Sequence, residues 1–177
     1  ADAAVSAAYG SAGERCMAIS VLLAVDSVAD ALIEKVKQRI PNIKVGPASD
    51  TANEMGPLIT AEHRDKVASY LAGAAGEGAT VVVDGRENAP TGGFFLNPSI
   101  IDGVKPGMRC YDEEIFGPVL NVVRVKSYDE GIALINANEF GNGVAIFTRD
   151  GGVAREFQFD VTVGMVGVNV PIPVPVS

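Results

Sequence analysis

Apolar, β-branched stretches alternate with stretches of helical periodicity along this chain, and that alternation restricts the fold more than any other feature. Ile19-Ser20-Val21-Leu22-Leu23-Ala24-Val25 has strand length and an almost unbroken apolar character, as buried strands of parallel sheets do, and reads as a central strand. A helix follows directly. Ser27 and Asp30 have the spacing of an acidic capping box, and Val28, Ala31, Leu32, Val36 and Ile40 approximate one helical face until Pro41 stops it. Upstream, the Ala-rich residues Asp2 to Tyr9 read as the end of a helix that Gly10, Ser11 and Gly13 terminate.

Further on, Thr60 can cap a helix with Val67, Tyr70 and Leu71 inward and Glu62, Arg64, Asp65 and Lys66 outward, ended by Gly73, Gly76 and Gly78. Strands are expected over 79–83, 119–125, 143–148 and 163–169, while Pro98 demotes the extended stretch 94–101 to a sheet edge. Ser127 with Glu130 is a capping-box pair opening a helix through Ala137, and another helix covers 152–159. Strand and helix in alternation predict an α/β fold: a parallel or mostly parallel twisted sheet with helices on both faces. Pro171, Pro173 and Pro175 can neither continue a helix nor donate to a ladder, so residues 171–177 are expected to be extended.

Length and composition narrow the class. A chain of 177 residues predicts one compact domain, and 47% hydrophobic with 20% charged content is enough to bury a core, which excludes disorder for the bulk. Fourteen basic against 22 acidic residues leave a net charge of −8, which repels nucleic acid phosphates and anionic lipid surfaces. The uncharged runs are too short, or too broken by Gly and Pro, to predict a transmembrane helix, and the opening residues Ala1-Asp2-Ala3 do not resemble a secretory signal. Cys16 and Cys110 are too few for a disulfide scaffold and lack metal-ligand spacing, which fits a reducing compartment: cytosol or an organelle matrix. No phosphate-cradling Gly motif stands between a strand and a helix.

An isolated cysteine is ordinarily a small buried hydrophobe. Cys16, however, directly follows Arg15 and the flexible Gly10 to Gly13 loop, at the mouth of a strand and beside a cation that stabilises thiolate. Cys110 precedes Asp112, Glu113 and Glu114, whose negative charge suppresses a thiol, so Cys16 is the better nucleophile. The only histidine, His63, is either a solvated residue of a helix face or the base of a Cys16–His63 acyl hydrolase. The acidic triplet is either a solvated turn or, continued by Ile115-Phe116-Gly117-Pro118, a rigid turn that presents a carboxylate to hydroxyls and a ring to a flat heterocycle. A third reading is a non-catalytic interaction module docking through its prolines, although Pro-x-x-Pro spacing is absent.

Gly13-Glu14-Arg15-Cys16-Met17-Ala18 resembles the nucleophile segment of the methylmalonate-semialdehyde dehydrogenase branch of the aldehyde dehydrogenase superfamily. Glu114-Ile115-Phe116-Gly117-Pro118-Val119 resembles the superfamily's cofactor-contacting segment, with support from Gly56-Pro57-Leu58-Ile59, from the stretch 141–148 and from the stretch 167–175. The resemblance implies a Rossmann-like catalytic domain over residues 1–170, part of a longer homo-oligomeric enzyme whose NAD-binding domain lies elsewhere, and inactive alone. It implies Cys16 as the nucleophile toward a semialdehyde, with backbone N–H groups, that of Cys16 included, at the oxyanion. It also implies NAD as hydride acceptor, with Glu114 on the hydroxyls of the nicotinamide ribose and Phe116 beside the ring, and coenzyme A as the thiol that carries off propionyl or acetyl with loss of carbon dioxide. Arg15 has three readings: a grip on the substrate carboxylate, stabilisation of the thiolate, or a structural ion pair. His63 and Lys66 fall by loose alignment on the helix that approaches the cofactor ribose. Cytoplasm, or the mitochondrial matrix in a eukaryote, is the implied location.

Overall fold

The computed structural model describes residues 1–172. Within them the chain forms two compact units, the first Ala1–Arg124 and the second from Val125 onward. Of the extended proline end, residues 173–177 lie outside the described residues.

In the first unit, helix α1 (Asp2–Tyr9) runs into a short turn, Gly10–Gly13, and then strand β1 (Val21–Val25) and helix α2 (Asp26–Lys37). Helix α3 (Ala61–Gly73), strands β2 (Thr80–Val83) and β3 (Ser99–Asp102), the one-turn helix α4 (Arg109–Asp112) and strand β4 (Val119–Val125) complete it. The strands form one sheet in the order β1-β4-β3-β2. Strands β3 and β4 are parallel, with Ile100 opposite Leu120, whereas β2 and β3 are antiparallel. The mixed α/β class is as the alternation predicts, but two strand positions differ. β1 stands at an edge among the described residues, not at the centre, and β3 is interior because Pro98 falls just before its first residue, where a missing N–H removes no ladder bond.

The core explains why these elements stay together. Ile100, Leu120 and Val122 point from the sheet into a cluster with Ala8 and Tyr9 of α1 and Ala29, Ile33 and Val36 of α2. Strand residues alternate in direction, so Asn121 faces the other side, where its amide meets the Cys110 carbonyl of α4. The Tyr9 hydroxyl donates to the Ser99 carbonyl oxygen at 3.0 Å, tying α1 to β3 inside the core. Burial holds the Tyr9 phenol protonated, well above its ordinary range.

Helix α2 is turned by one residue from its sequence reading. It begins at Asp26, behind Val25, with no side-chain cap, so Ser27 lies inside the first turn and Ala29, Ile33 and Val36 are buried while Val28 is 51% exposed. The cap at α3 is as read: Thr60 Oγ1 accepts from the His63 N–H at 3.1 Å, and Val67, Tyr70 and Leu71 are buried.

In the second unit, helix α5 (Tyr128–Ala137) starts at Ser127, whose Oγ accepts from the Glu130 N–H at 3.2 Å. The Glu130 carboxylate reaches back to the N–H of Lys126, one residue further than an ordinary capping box. Strand β5 (Gly143–Ile146) pairs in parallel with β6 (Met165–Val168), and helix α6 (Gly151–Asp160) lies between them in sequence, capped by Asp150. These two strands form their own sheet.

Two substitutions separate the two faces of the reading. Leu120→Ala, at a side chain 0% exposed, is expected to lower unfolding stability by about 2–5 kcal/mol. Val28→Ala on the outward face is expected to change it by less than about 0.5 kcal/mol, both read from urea unfolding midpoints.

Candidate active site

Cys16 is exposed, and its position follows from the backbone on either side of it. Before it, Ser11, Ala12 and Gly13 take successive left-handed conformations with φ of 53°, 56° and 70°, which reverses the chain at the end of α1. After it, the Ala18 N–H donates to the Arg15 carbonyl oxygen at 3.0 Å, closing a turn with Cys16 at its bend. The Ile19 N–H then bonds the Ala7 carbonyl and fixes the exit of the turn on α1. The Arg15 guanidinium donates to the carbonyl oxygens of Ser6 and Ala7 at 3.2 and 3.4 Å, a cation on the negative end of a helix. Among the described residues Arg15 pairs with no carboxylate, so the ion-pair reading is not the arrangement found.

The turn 113–118 is backed along its length by α3. His63, Val67 and Tyr70 stand four and then three residues apart, so they share one face of the helix. His63 Nε2 lies 2.7 Å from the Phe116 carbonyl oxygen, and because a carbonyl only accepts, this nitrogen carries the proton. Phe116 itself has φ 54°, a conformation that a bulky residue takes only when held there. The methyl groups of Val67 lie against Gly117, where a Cβ would approach them to 2.8 Å. Tyr70 donates its hydroxyl to Glu113 Oε2 at 2.6 Å, and Arg109 both covers the Tyr70 ring, 4.3 Å from its centroid, and pairs with Glu113 at 3.1 Å. Burial first, and then the Glu113 bond, push Tyr70 up to about 12. The Tyr70 hydroxyl above all, and next to it Arg109, hold Glu113 below the usual carboxylate range.

The neighbouring acid is different. Glu114 is exposed and, among the described residues, accepts no hydrogen bond, while Ile115 beside it is buried and Phe116 is 38% exposed. An unengaged carboxylate and an open ring flanking a buried anchor fit a ribose with two hydroxyls and the flat heterocycle attached to it.

The segment that leads to Cys16 lies on this turn. Gly13 packs so closely on the Gly117 carbonyl that there is no room for a Cβ. Next to it, the Glu14 carboxylate accepts from the Ile59 N–H at 3.2 Å and stands 3.6 Å from His63 Nε2. The structure therefore brings together the segments that carry Cys16, Glu114 and Phe116, with His63 between them as a brace, its Nε2 on a carbonyl. Lys66 is an exposed residue of α3 whose charge acts on Glu113. Cys110 is 4% exposed, and burial above all, with Glu77 next, pushes its thiol up to about 11. Glu14 joins the arrangement without having been singled out in the sequence, and Tyr70 was read there only as an inward residue of the helix. The Thr60 cap, which fixes where His63 stands, was the one local signal pointing at it.

A model of the aldehyde dehydrogenase family matches residues 1–177. A malonate-semialdehyde dehydrogenase of Pseudomonas aeruginosa is 54% identical over 180 residues, which cover 99% of this chain and 36% of that protein. Among solved structures, a methylmalonate-semialdehyde dehydrogenase from Oceanimonas doudoroffii superposes with a TM-score of 0.94 at 51% identity, over 98% of this chain and 36% of that one. A betaine aldehyde dehydrogenase from Staphylococcus aureus in complex with NAD+ superposes with a TM-score of 0.91 at 35% identity, over 98% and 35%. The chain thus spans little more than a third of the length of the relatives it matches.

With its thiol near 11, Cys110 is only about one part in a thousand thiolate near pH 8. Iodoacetamide is therefore expected to modify Cys16 first, with Cys110 following only as the pH approaches 11, as peptide mapping by mass spectrometry would show. His63→Ala is expected to lower stability by about 1 kcal/mol and to leave Cys16 alkylation in place. Loss of that alkylation would reinstate the Cys16–His63 pair as a hydrolase dyad.

Proposed function

The chain belongs to the aldehyde dehydrogenase family, and on that footing we propose that it forms the nucleophile-bearing part of an NAD-dependent, CoA-acylating dehydrogenase of malonate or methylmalonate semialdehyde. One observation carries the reading: an exposed cysteine just after the left-handed reversal at Ser11, Ala12 and Gly13, with that reversal packed directly on the turn that offers Glu114 and Phe116. The relatives named for these semialdehydes supply the substrate class, and the NAD+ complex of a more distant relative supports the cofactor.

Cys16 as thiolate adds to the aldehyde carbon, forming a carbon–sulfur bond and an oxyanion. Bound NAD supplies the hydride acceptor. Glu114 accepts the hydroxyls of the nicotinamide ribose and Phe116 limits where the ring can lie, so the pair orients the acceptor toward the carbon held on Cys16. Loss of hydride leaves a thioester on Cys16. The thiol of coenzyme A then attacks this thioester as co-substrate, the acyl group leaves as a new thioester, and Cys16 is released as thiolate. The substrate carboxylate leaves as carbon dioxide, its bonding pair staying on the α-carbon as an enolate that takes a proton from water, so the product is acetyl-CoA or propionyl-CoA.

Arg15 is the residue for the substrate carboxylate. Its contacts to the α1 carbonyls are long, 3.2 Å to the exposed Ser6 oxygen and 3.4 Å to the part-buried Ala7 oxygen, and a bidentate bond to a carboxylate is the stronger alternative for a guanidinium. Because the matched relatives are nearly three times as long, the 177-residue chain alone is expected not to turn over NAD, semialdehyde and coenzyme A.

The test replaces the matching residues of the Oceanimonas doudoroffii enzyme with this chain. The graft is expected to form NADH and a CoA thioester from either semialdehyde, and Cys16→Ala to reduce kcat by a factor of about 10³ or more. Arg15→Gln is expected to raise the semialdehyde KM by about tenfold, in keeping with a lost charge-assisted pair, and to leave that for uncharged propanal unchanged. A Cys16→Ala graft with parental activity would refute the assignment.

A further inference from the structure

We infer that Asn121 is a positioning residue, its buried amide setting how far the segment of Cys16 stands from the turn of Glu114 and Phe116. This rests on the site proposed above. Asn121 is 0% exposed in β4, between Leu120 and Val122, in a strand that is otherwise almost wholly apolar. Its Nδ2 donates to two carbonyl oxygens, that of Ser20 at 3.2 Å and that of Cys110 at 2.9 Å. Ser20 comes four residues after Cys16, and Cys110 four residues before Glu114 (20 − 16 and 114 − 110). One nitrogen therefore holds the two halves of the site at matching distances along the chain. The Asn121 backbone N–H also donates to the Ser20 oxygen, at 2.9 Å, so that carbonyl is doubly fixed.

Burial alone does not account for this side chain. Asn121 Oδ1 is buried and, among the described residues, has no hydrogen-bond partner. Turning the amide over would not help, since it would set that oxygen against two carbonyl oxygens. A leucine of the same branching, though bulkier, would fill the space without an orphaned acceptor and keep the backbone bond to Ser20. What it would lose is the two-ended tie. The side chain also points away from the face on which Leu120 and Val122 meet α1 and α2, so the tie can be cut without opening that core.

The variant Asn121→Leu tests this. In the grafted enzyme it is expected to lower kcat by about tenfold or more and to raise the KM for NAD, because small displacements of reacting groups are costly in rate. In the 177-residue chain itself, the rate of Cys16 alkylation is expected to shift by about threefold or more while Cys110 stays protected, since the loosened segment no longer holds its turn. A purely structural asparagine would move the unfolding midpoint and leave these values alone. A kcat within about threefold of the parent, together with an unchanged Cys16 rate, overturns the inference. Should Asn121→Leu fail to fold, Asn121→Ser keeps one donor in a smaller volume and is expected to give an intermediate loss, with parental values again overturning it. If the parent graft lacks activity, the proposed function falls, and the alkylation rates of the chain still decide the role of Asn121.

Discussion

Backbone lies directly on backbone where the segment leading to Cys16 crosses the turn that precedes β4. Gly13 sits against the carbonyl of Gly117, and Gly117 in turn sits against the methyl groups of Val67. Any side chain at Gly13 would push two turns of the site apart, and any at Gly117 would lift its turn from α3. Three layers that are distant in sequence are thereby stacked without room for adjustment. Close packing of this kind transmits a displacement in one layer to the next, which is how residues that never touch substrate come to govern where reacting groups stand.

Helix α3 gives those layers a rigid floor and also sorts the two acids of the turn. Tyr70 and Arg109 engage Glu113 fully, with a hydroxyl bond of 2.6 Å and a paired guanidinium. Glu114 is left with its acceptor capacity unspent, among the described residues. Adjacent residues of like charge thus have opposite duties, one structural and one available to a ligand. The difference arises from which of them faces the helix and not from the carboxylates themselves. His63 completes the floor by holding Phe116 through its main chain, which leaves the ring unencumbered.

Much of the fold could be read because its signals are local. Thr60 and Ser127 announce their helices through side chains bonded within three residues, and both caps are found where the sequence places them. Ser27 has the same spacing signature but lies one residue inside α2, because packing of Ala29, Ile33 and Val36 against the sheet decided the rotation of the helix and a weak cap could not. Whether β1 is central or at an edge depends on strand order, which a run of apolar residues does not encode. At the candidate site, motifs singled out Cys16, Glu114 and Phe116, while Arg15 carried three readings, a carboxylate grip, a thiolate partner and an ion pair, that its place beside the thiol could not separate. The brace of Glu14, His63 and the Phe116 carbonyl was not, for its members are 49 and 53 residues apart and share no periodicity (63 − 14 and 116 − 63). Asn121 reads in sequence as a polar interruption of a strand, and its meaning is visible only once Ser20 and Cys110 are seen on either side of it.

The reversal at Ser11, Ala12 and Gly13 has a further consequence. Neither serine nor alanine favours a left-handed backbone, and each such residue costs about 1–2 kcal/mol. The loop therefore does not choose its own shape; α1 on one side and the Gly117 turn on the other impose it. A thiol mounted on borrowed geometry is in place only while its neighbours are, so partial loosening of the protein would displace it well before the sheet beneath it came apart.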